Sequence, residues 1–164
     1  MSKKEEKTNV MRVLEQKCIP FTPHTYPHGD GMAVDGITVA RSMGQDPECV
    51  FKTLVARGAS KALYVFDIPV GDTLDLKKAA RAVGEKSIVM LPQKELLPNT
   101  GYVHGGCSPV GMKKQYPTVF HRTALDYETV YISAGKIGAQ VELAPRALLD
   151  LLGASTADIV VDQG

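Results

Sequence analysis

Between residues 101 and 111 the chain reads Gly-Tyr-Val-His-Gly-Gly-Cys-Ser-Pro-Val-Gly, which places four glycines and a proline in eleven residues. Neither a helix nor a strand is stable with that much glycine, so the remaining elements have to be arranged around a shaped loop. Glycine permits positive φ and close approach of another molecule, while Pro109 fixes its own φ and biases Ser108 away from the helical region. The N–H groups of such a loop can converge on an anion, a carboxylate or the oxygen of a carbonyl under attack. Glycine content alone also allows a tight connection between two strands.

With 164 residues the chain fits one domain, 1–164, and is long enough to bury a core without staples. The 44% hydrophobic and 23% charged residues are ordinary globular composition, without a low-complexity tract. A net charge of +1 means that any nucleic-acid contact must come from a local basic patch. The three cysteines, Cys18, Cys49 and Cys107, are odd in number and widely spaced, which fits a reducing cytoplasm better than a disulfide framework. The N-terminal residues lack the apolar core of a signal peptide, and no apolar run approaches a membrane span, so no membrane partner is expected.

Thr8 reads as the N-cap of a first helix with Val10, Val13, Leu14 and Lys17 on one face. Pro20, Pro23 and Pro27 then impose an extended segment suited to an edge strand or loop, so His24 and His28 do not share a helical face. A mobile glycine-containing loop is expected over 29–36, then a short helix from about Thr38 to Met43 stopped by Gly44, and Pro47 at a first helical position. Phe51–Ala56 and Leu63–Ile68 read as a hairpin. Asp75 caps a helix with Leu76, Ala79, Ala80 and Val83 on its apolar face and Gly84 as its stop. Ser87–Leu91 is a strand, and Gln93–Leu97 a short helical turn before the glycine loop. Thr118–Phe120, Thr129–Ser133 and Gln140–Leu143 read as strands, and Pro145 opens a last helix ended by Gly153. This order predicts a mixed α+β domain rather than a regular βαβ repeat.

Several tempting motifs fail on chemistry. The histidines and cysteines contain no Cys-x-x-Cys pair, and the His24-x-x-x-His28 pair sits between prolines, so no metal site is expected. Gly106 to Lys113 resembles a phosphate-binding P-loop with one residue too many between glycine and lysine, and Pro109 removes an N–H from the cradle. Cys107 sits beside glycine N–H groups as a nucleophile would, yet no histidine can be placed next to it from sequence, so a packed or simply accessible thiol is the favoured reading.

Four stretches, Phe51-Lys-Thr-Leu54, Leu76-Lys-Lys-Ala-Ala80 with Gly84, Thr100–Gly111 and Tyr131-Ile-Ser-Ala-Gly-Lys136, together resemble the YbaK/EbsC proteins. These are free-standing aminoacyl-tRNA editing enzymes related to the insertion domain of bacterial prolyl-tRNA synthetase, and the likeness runs from about Asn9 to Asp158. The resemblance implies a mixed α+β fold with a curved, partly barrel-like sheet and flanking helices. It implies hydrolysis of Cys-tRNA(Pro), with the substrate's own thiol attacking its ester carbonyl, and no cofactor. An editor is needed because an apolar pocket separates amino acids of near-equal size by only ~1–3 kcal/mol.

By the same resemblance Lys52 matches the family's essential lysine and is assigned to the terminal ribose and phosphate of the tRNA. Gly105 and Pro109 match a Gly-x-x-x-Pro loop that, with Gly106, shapes donors for the substrate carbonyl. Tyr26, Phe51, Thr53, Cys107, Ser108, Ser133 and Gly135 lie in matching motifs and are expected around the aminoacyl group; strand packing and turn formation are the structural alternatives. Gln140 stands where some relatives carry an acid, so a role needing negative charge there does not transfer. Cys107 stands where relatives can have an apolar residue, which argues against it as nucleophile.

The partners implied are the acceptor end of tRNA(Pro) and prolyl-tRNA synthetase. No DNA partner is expected, and no base-reading motif appears that would say which tRNA features are read. Lys77, Lys78 and Arg81, with Lys86 nearby, and the pair Lys113–Lys114 are candidate phosphate contacts, a solvated helix face being the alternative. Two other readings remain: a deacylase of Ala-tRNA(Pro) or another small aminoacyl-tRNA, which would need an activated water, and a noncatalytic module that binds tRNA or a synthetase.

Overall fold

A computed structural model describes residues 7–26 and 35–162. The positions of Pro27 and His28 and most of the loop expected over 29–36 lie outside the described residues. Helix α1 spans Asn9–Gln16, with Thr8 accepting from the Met11 amide as its N-cap. Its buried residues are Val10, Met11 and Leu14; Lys17, expected on that face, is instead the exposed C-cap. Strand β1 is Phe21–Thr25, and α2 is Gly36–Ser42, starting on the Asp35 side chain. After a short 3-10 turn at Pro47–Cys49 come β2 (Phe51–Gly58) and β3 (Leu63–Pro69). Helix α3 (Leu76–Val83) begins where the Asp75 carboxylate accepts from the Lys77 and Lys78 amides and ends at Gly84 with φ 74°. Leu76, expected in its apolar face, is 42% exposed, so Ala79 and Ala80 carry the contact.

Strand β4 is Ile88–Met90 and α4 is Gln93–Thr100, a longer helix than the turn expected there, with Pro98 inside it. Then follow β5 (Thr118–His121), β6 (Val130–Ser133), β7 (Ala139–Leu143), α5 (Pro145–Leu152) and β8 (Ser155–Ala157). The expected α+β class holds. The curvature is divided between two sheets, β1-β7-β6 and β4-β2-β3-β5-β8, which do not close into a barrel. An isolated Val50–Tyr131 bridge links them at the start of β2.

Alternation along β2 and β3 divides the interior into two layers. Phe51, Val55 and Val65 face a core shared with α1, the glycine loop, α5 and the apolar face of the three-stranded sheet. Ala56, Phe66 and Ile68 face the opposite way, against α3, Ile88 and Ile159. Full burial of a side chain such as Leu14 or Ile132 contributes about 1.5–3 kcal/mol. The consequence for function is positional, since α3 and the glycine loop pack on opposite faces of the five-stranded sheet.

Candidate active site

The glycine loop is held from inside. Thr100 Oγ1, at the end of α4, donates to the Leu96 carbonyl at 2.7 Å and accepts from the Tyr102 amide at 3.0 Å. Gly101 turns the chain out of the helix with φ 86°, and Gly105 turns it again with φ 87°. Arg57 of β2 fastens α4 itself by gripping Glu95 with two hydrogen bonds, at 2.8 and 3.4 Å. The buried Ser108 hydroxyl accepts from the Val110 amide at 3.3 Å, so Ser108 and the buried Pro109 are struts of the loop.

Gly106 has no room for a side chain. A Cβ there would lie 3.0 Å from the Ile137 nitrogen and from Lys136 Cα, so two backbones touch at this point. The facing turn is kept tight by Gly135 and Gly138, at φ 98° and 93°, and by Ser133 Oγ accepting from the Gly135 amide at 3.1 Å. Gly106 also spends its N–H on the Val103 carbonyl, at 3.0 Å, so it offers no donor to a substrate. The amides of Gly105 and Cys107, in contrast, make no hydrogen bond among the described residues, and both residues line a pocket.

That pocket has a volume of about 290 Å³ and lies where the two sheets meet. The loop tip (His104, Gly105, Cys107) forms one wall and the start of β2 (Phe51, Lys52, Thr53) another. Tyr26, Ser133 and Gln140 enter from the three-stranded sheet, while Asp35, Gly36 and Val39 enter from α2. Of the residues singled out by sequence, Tyr26, Phe51, Lys52, Thr53, Gly105, Cys107 and Ser133 therefore meet around one cavity. Gly106, Ser108, Pro109 and Gly135 stand behind it as supports.

Lys52 is half-buried, and its ammonium donates to the Val70 carbonyl at 3.3 Å. Burial pulls its pKa down, while Asp72 and Asp35 push it back up. Burial drives the Cys107 thiol up to about 12, with a further push from Asp67, so it is a neutral S–H at any working pH. Phe51 serves core and pocket at once, being 2% exposed with its ring 6.0 Å from that of Phe120.

Three features of this region escape sequence reasoning. Asp67 is fully buried opposite Thr53, with its Oδ1 2.5 Å from Thr53 Oγ1. Gln140 accepts from the Gln45 side-chain amide at 2.9 Å, so an amide pair holds this part of the pocket wall. His104 lines the pocket from an exposed position on the loop. No motif signals the first two, because β-pairing and the placement of α2 create them; for His104, its place inside the glycine motif was an available signal.

The basic candidates separate. Lys78 is consumed structurally: its ammonium bonds Asp158 at 3.0 Å, the Val160 carbonyl at 2.9 Å and Asp162 at 2.7 Å, fastening the C-terminal segment to α3. Two carboxylates and a carbonyl thus already engage this ammonium in the free chain. Lys77 and Arg81 are exposed on α3, across the sheet from the loop. Lys113 and Lys114 are exposed at the loop's far end, where Lys113 packs against Gly101 and Lys114 lies 5.9 Å from the Tyr116 ring centroid. No group of three or more metal-ligating side chains occurs among the described residues.

Comparison with known proteins agrees with this architecture. A protein of Enterococcus faecalis (strain ATCC 700802 / V583), named "Putative Cys-tRNA(Pro)/Cys-tRNA(Cys) deacylase EbsC", is 42% identical over 161 residues, 98% of this chain and 98% of that protein. YwhH of Bacillus subtilis (strain 168) is 29% identical over 111 residues, 66% of this chain and 69% of that one. The crystal structure of "a putative trans-editing enzyme for prolyl tRNA synthetase" superposes with a TM-score of 0.82 at 26% identity, covering 98% of this chain and 100% of that one. That of hypothetical protein APE2540 superposes with a TM-score of 0.83 at 23% identity, covering 95% and 100%, a likeness of fold. The family model for the aminoacyl-tRNA editing domain matches residues 34–151, and with it this chain belongs to the aminoacyl-tRNA editing domain family.

Proposed function

We propose that this protein is a trans-editing deacylase that removes cysteine from mischarged Cys-tRNA(Pro). The observation that carries the reading is the pocket wall, in which a neutral buried thiol, two loop amides unbonded among the described residues and one half-buried lysine surround a cavity of about 290 Å³. That volume is at the small end of ligand pockets, suited to a small aminoacyl group.

The substrate's thiol is already tethered next to its ester, so orientation can supply much of the rate. Its sulfur bonds to the ester carbonyl carbon, the carbon–oxygen bond to the tRNA breaks, and the released ribose oxygen takes the thiol proton. The resulting cyclic thioester is opened by water. Donors at Gly105 and Cys107 suit the oxygen that becomes negative during attack. Lys52 holds the terminal ribose and phosphate, and Tyr26, Phe51, Thr53 and Ser133 enclose the aminoacyl group. The neutral Cys107 thiol is a poor nucleophile, which favours attack by the substrate's own sulfur.

The tRNA backbone is best placed against Lys113 and Lys114, which follow directly on the glycine loop, in preference to Lys77 and Arg81 on the opposite face of the sheet. Selectivity for tRNA(Pro) is assigned to prolyl-tRNA synthetase, the protein already holding that tRNA, and such a complex works in the cytoplasm. The test is single-turnover deacylation of Cys-tRNA(Pro) and Ala-tRNA(Pro) by the wild type and Lys52→Ala at matched salt. Cleavage of the cysteinyl ester alone, lowered about 10²-fold or more by the substitution, supports the assignment. Cleavage of the alanyl ester would replace it with water-dependent editing. Inactivity on both would leave a noncatalytic binding module.

A further inference from the structure

Asp67 occupies the middle of β3, fully buried, in register with Thr53 of β2 on one side and the apolar Phe120 of β5 on the other. Its Oδ1 lies 2.5 Å from Thr53 Oγ1, and its Oδ2 has no hydrogen-bond partner among the described residues. An ionised carboxylate in that position would be shut off from bulk solvent with no cationic side chain bonded to it among the described residues, and such groups take up a proton instead. Thr53, which holds the acid through this hydrogen bond, is also part of the pocket wall. A threonine hydroxyl carries a single hydrogen, which can be donated in one direction at a time.

We propose that Asp67 is a positioning residue: as a neutral acid it donates its proton to Thr53 Oγ1, which turns the Thr53 O–H into the pocket as a donor to the substrate oxygen that gains charge. This rests on the reading of the pocket as an aminoacyl-ester site. The Thr53 hydroxyl then joins the amides of Gly105 and Cys107 as a third donor. No bond to Asp67 is made or broken in the reaction, and its proton stays in place. Were Asp67 ionised, Thr53 would have to donate to it and would present only lone pairs to the substrate.

Burial favours the neutral acid, pushing the Asp67 carboxyl up to about 8, and the one opposing contribution is a bond that Thr53 would donate to the ionised form. No charged side chain contributes to that shift; the titratable group that feels Asp67 is Cys107, on the glycine loop. Lys52, next to Thr53 in sequence, reaches to the Val70 carbonyl instead.

Two measurements on the full chain test this. The first follows the carboxylic-acid carbonyl stretch by infrared spectroscopy as pH rises. We expect a band that vanishes with a midpoint of about 8 and is missing from Asp67→Asn. The second measures deacylation of Cys-tRNA(Pro), corrected for spontaneous hydrolysis, at about pH 7 and pH 9. The side-chain amide of the Asp67→Asn variant keeps an N–H donor to Thr53 at both, so the wild-type rate divided by the variant's rate falls about tenfold across that interval. Thr53→Ser keeps this fall and Thr53→Val abolishes it. A missing band at neutral pH, or parallel wild-type and Asp67→Asn profiles with activity present, overturns the inference while the editing reading stands. Absence of cysteinyl-ester cleavage at every pH overturns both.

Discussion

Tyr102 Oη donates to the Val110 carbonyl across the glycine loop, with an oxygen–oxygen separation of 2.5 Å. The two residues belong to the opposite arms of the loop, and both are buried. Burial drives the phenol up to about 12, so it remains a donor at any pH at which the protein is handled. Tyr102→Phe keeps the ring and leaves the Val110 carbonyl without this partner. The expected cost is about 1–3 kcal/mol, read as a lower urea midpoint at unchanged slope. Deacylation should fall as well, because the loop tip that carries Gly105 and Cys107 loses its closure.

Gly105 and Gly106 are both needed, for different reasons, and alanine separates them. At Gly105 the φ of 87° is the obstacle, and alanine should cost about 1–2 kcal/mol through backbone strain. At Gly106 the obstacle is the backbone of Lys136 and Ile137 at 3.0 Å, which cannot swing aside as a flexible side chain would. Gly106→Ala should push the loop away from the 133–138 turn, costing about 1–3 kcal/mol, as overpacking does. Amide exchange distinguishes the two: protection in the 133–138 turn falls for Gly106→Ala and is retained for Gly105→Ala.

Much of this was legible in the sequence, and what was not has a physical reason. Thr8, Asp75, Gly84 and Gly153 signalled helix ends, because capping is a local interaction between a side chain or a positive φ and the next few amides. The β2–β3 hairpin followed from two β-branched and aromatic runs around Gly58. Strand β8 was missed because Ser155–Ala157 has no apolar alternation; it pairs only because β5 offers it an edge. The burial of Asp67 and the capture of Lys78 by Asp158 and Asp162 depend on segments far apart in the chain, which no local pattern records. The motif residues gathered at one pocket because two turns, at Gly105 and Gly135, bring separate stretches into backbone contact through Gly106.

Cys107→Ala offers a direct check on the source of the nucleophile. If the attacking sulfur belongs to the substrate, the variant still turns over cysteinyl ester, with a loss of less than about tenfold from the altered wall. A protein nucleophile would make the loss several orders of magnitude. The native thiol should also resist alkylation near neutral pH, because burial suppresses its thiolate, whereas the exposed Cys18 is modified.

Phosphate contacts can be located by salt dependence. Replacing Lys113 and Lys114 together should lower the magnitude of the slope of log affinity against log salt for the aminoacyl-tRNA by up to roughly 1.8, at about 0.7–0.9 per lost contact. Lys77→Ala with Arg81→Ala should leave the slope nearly unchanged. Lys78→Ala should leave it unchanged too, and instead free the 158–162 segment, seen as faster amide exchange at Val161, whose N–H is bonded to the Thr73 carbonyl.

The protonation of Asp67 also fixes how stability depends on pH. Its carboxyl titrates near 3.8 in the unfolded chain and is pushed up to about 8 in the folded one. Between those values the folded state holds a proton that the unfolded state has released. The unfolding free energy therefore falls as pH rises, by up to about 1.4 kcal/mol per pH unit, and the contribution of this group levels off above the folded midpoint. The stabilisation is complete only below the unfolded value. His121 acts in the opposite direction: burial lowers its pKa, so its contribution is lost as pH falls below the ordinary histidine range. Comparing wild type with Asp67→Asn cancels His121 and every other shared group. Between about pH 5 and pH 8 the wild type should lose roughly 3–4 kcal/mol relative to the variant in urea unfolding. A difference that stays constant across that interval would mean that the folded protein carries Asp67 as a carboxylate, with Thr53 donating to it and turned away from the pocket.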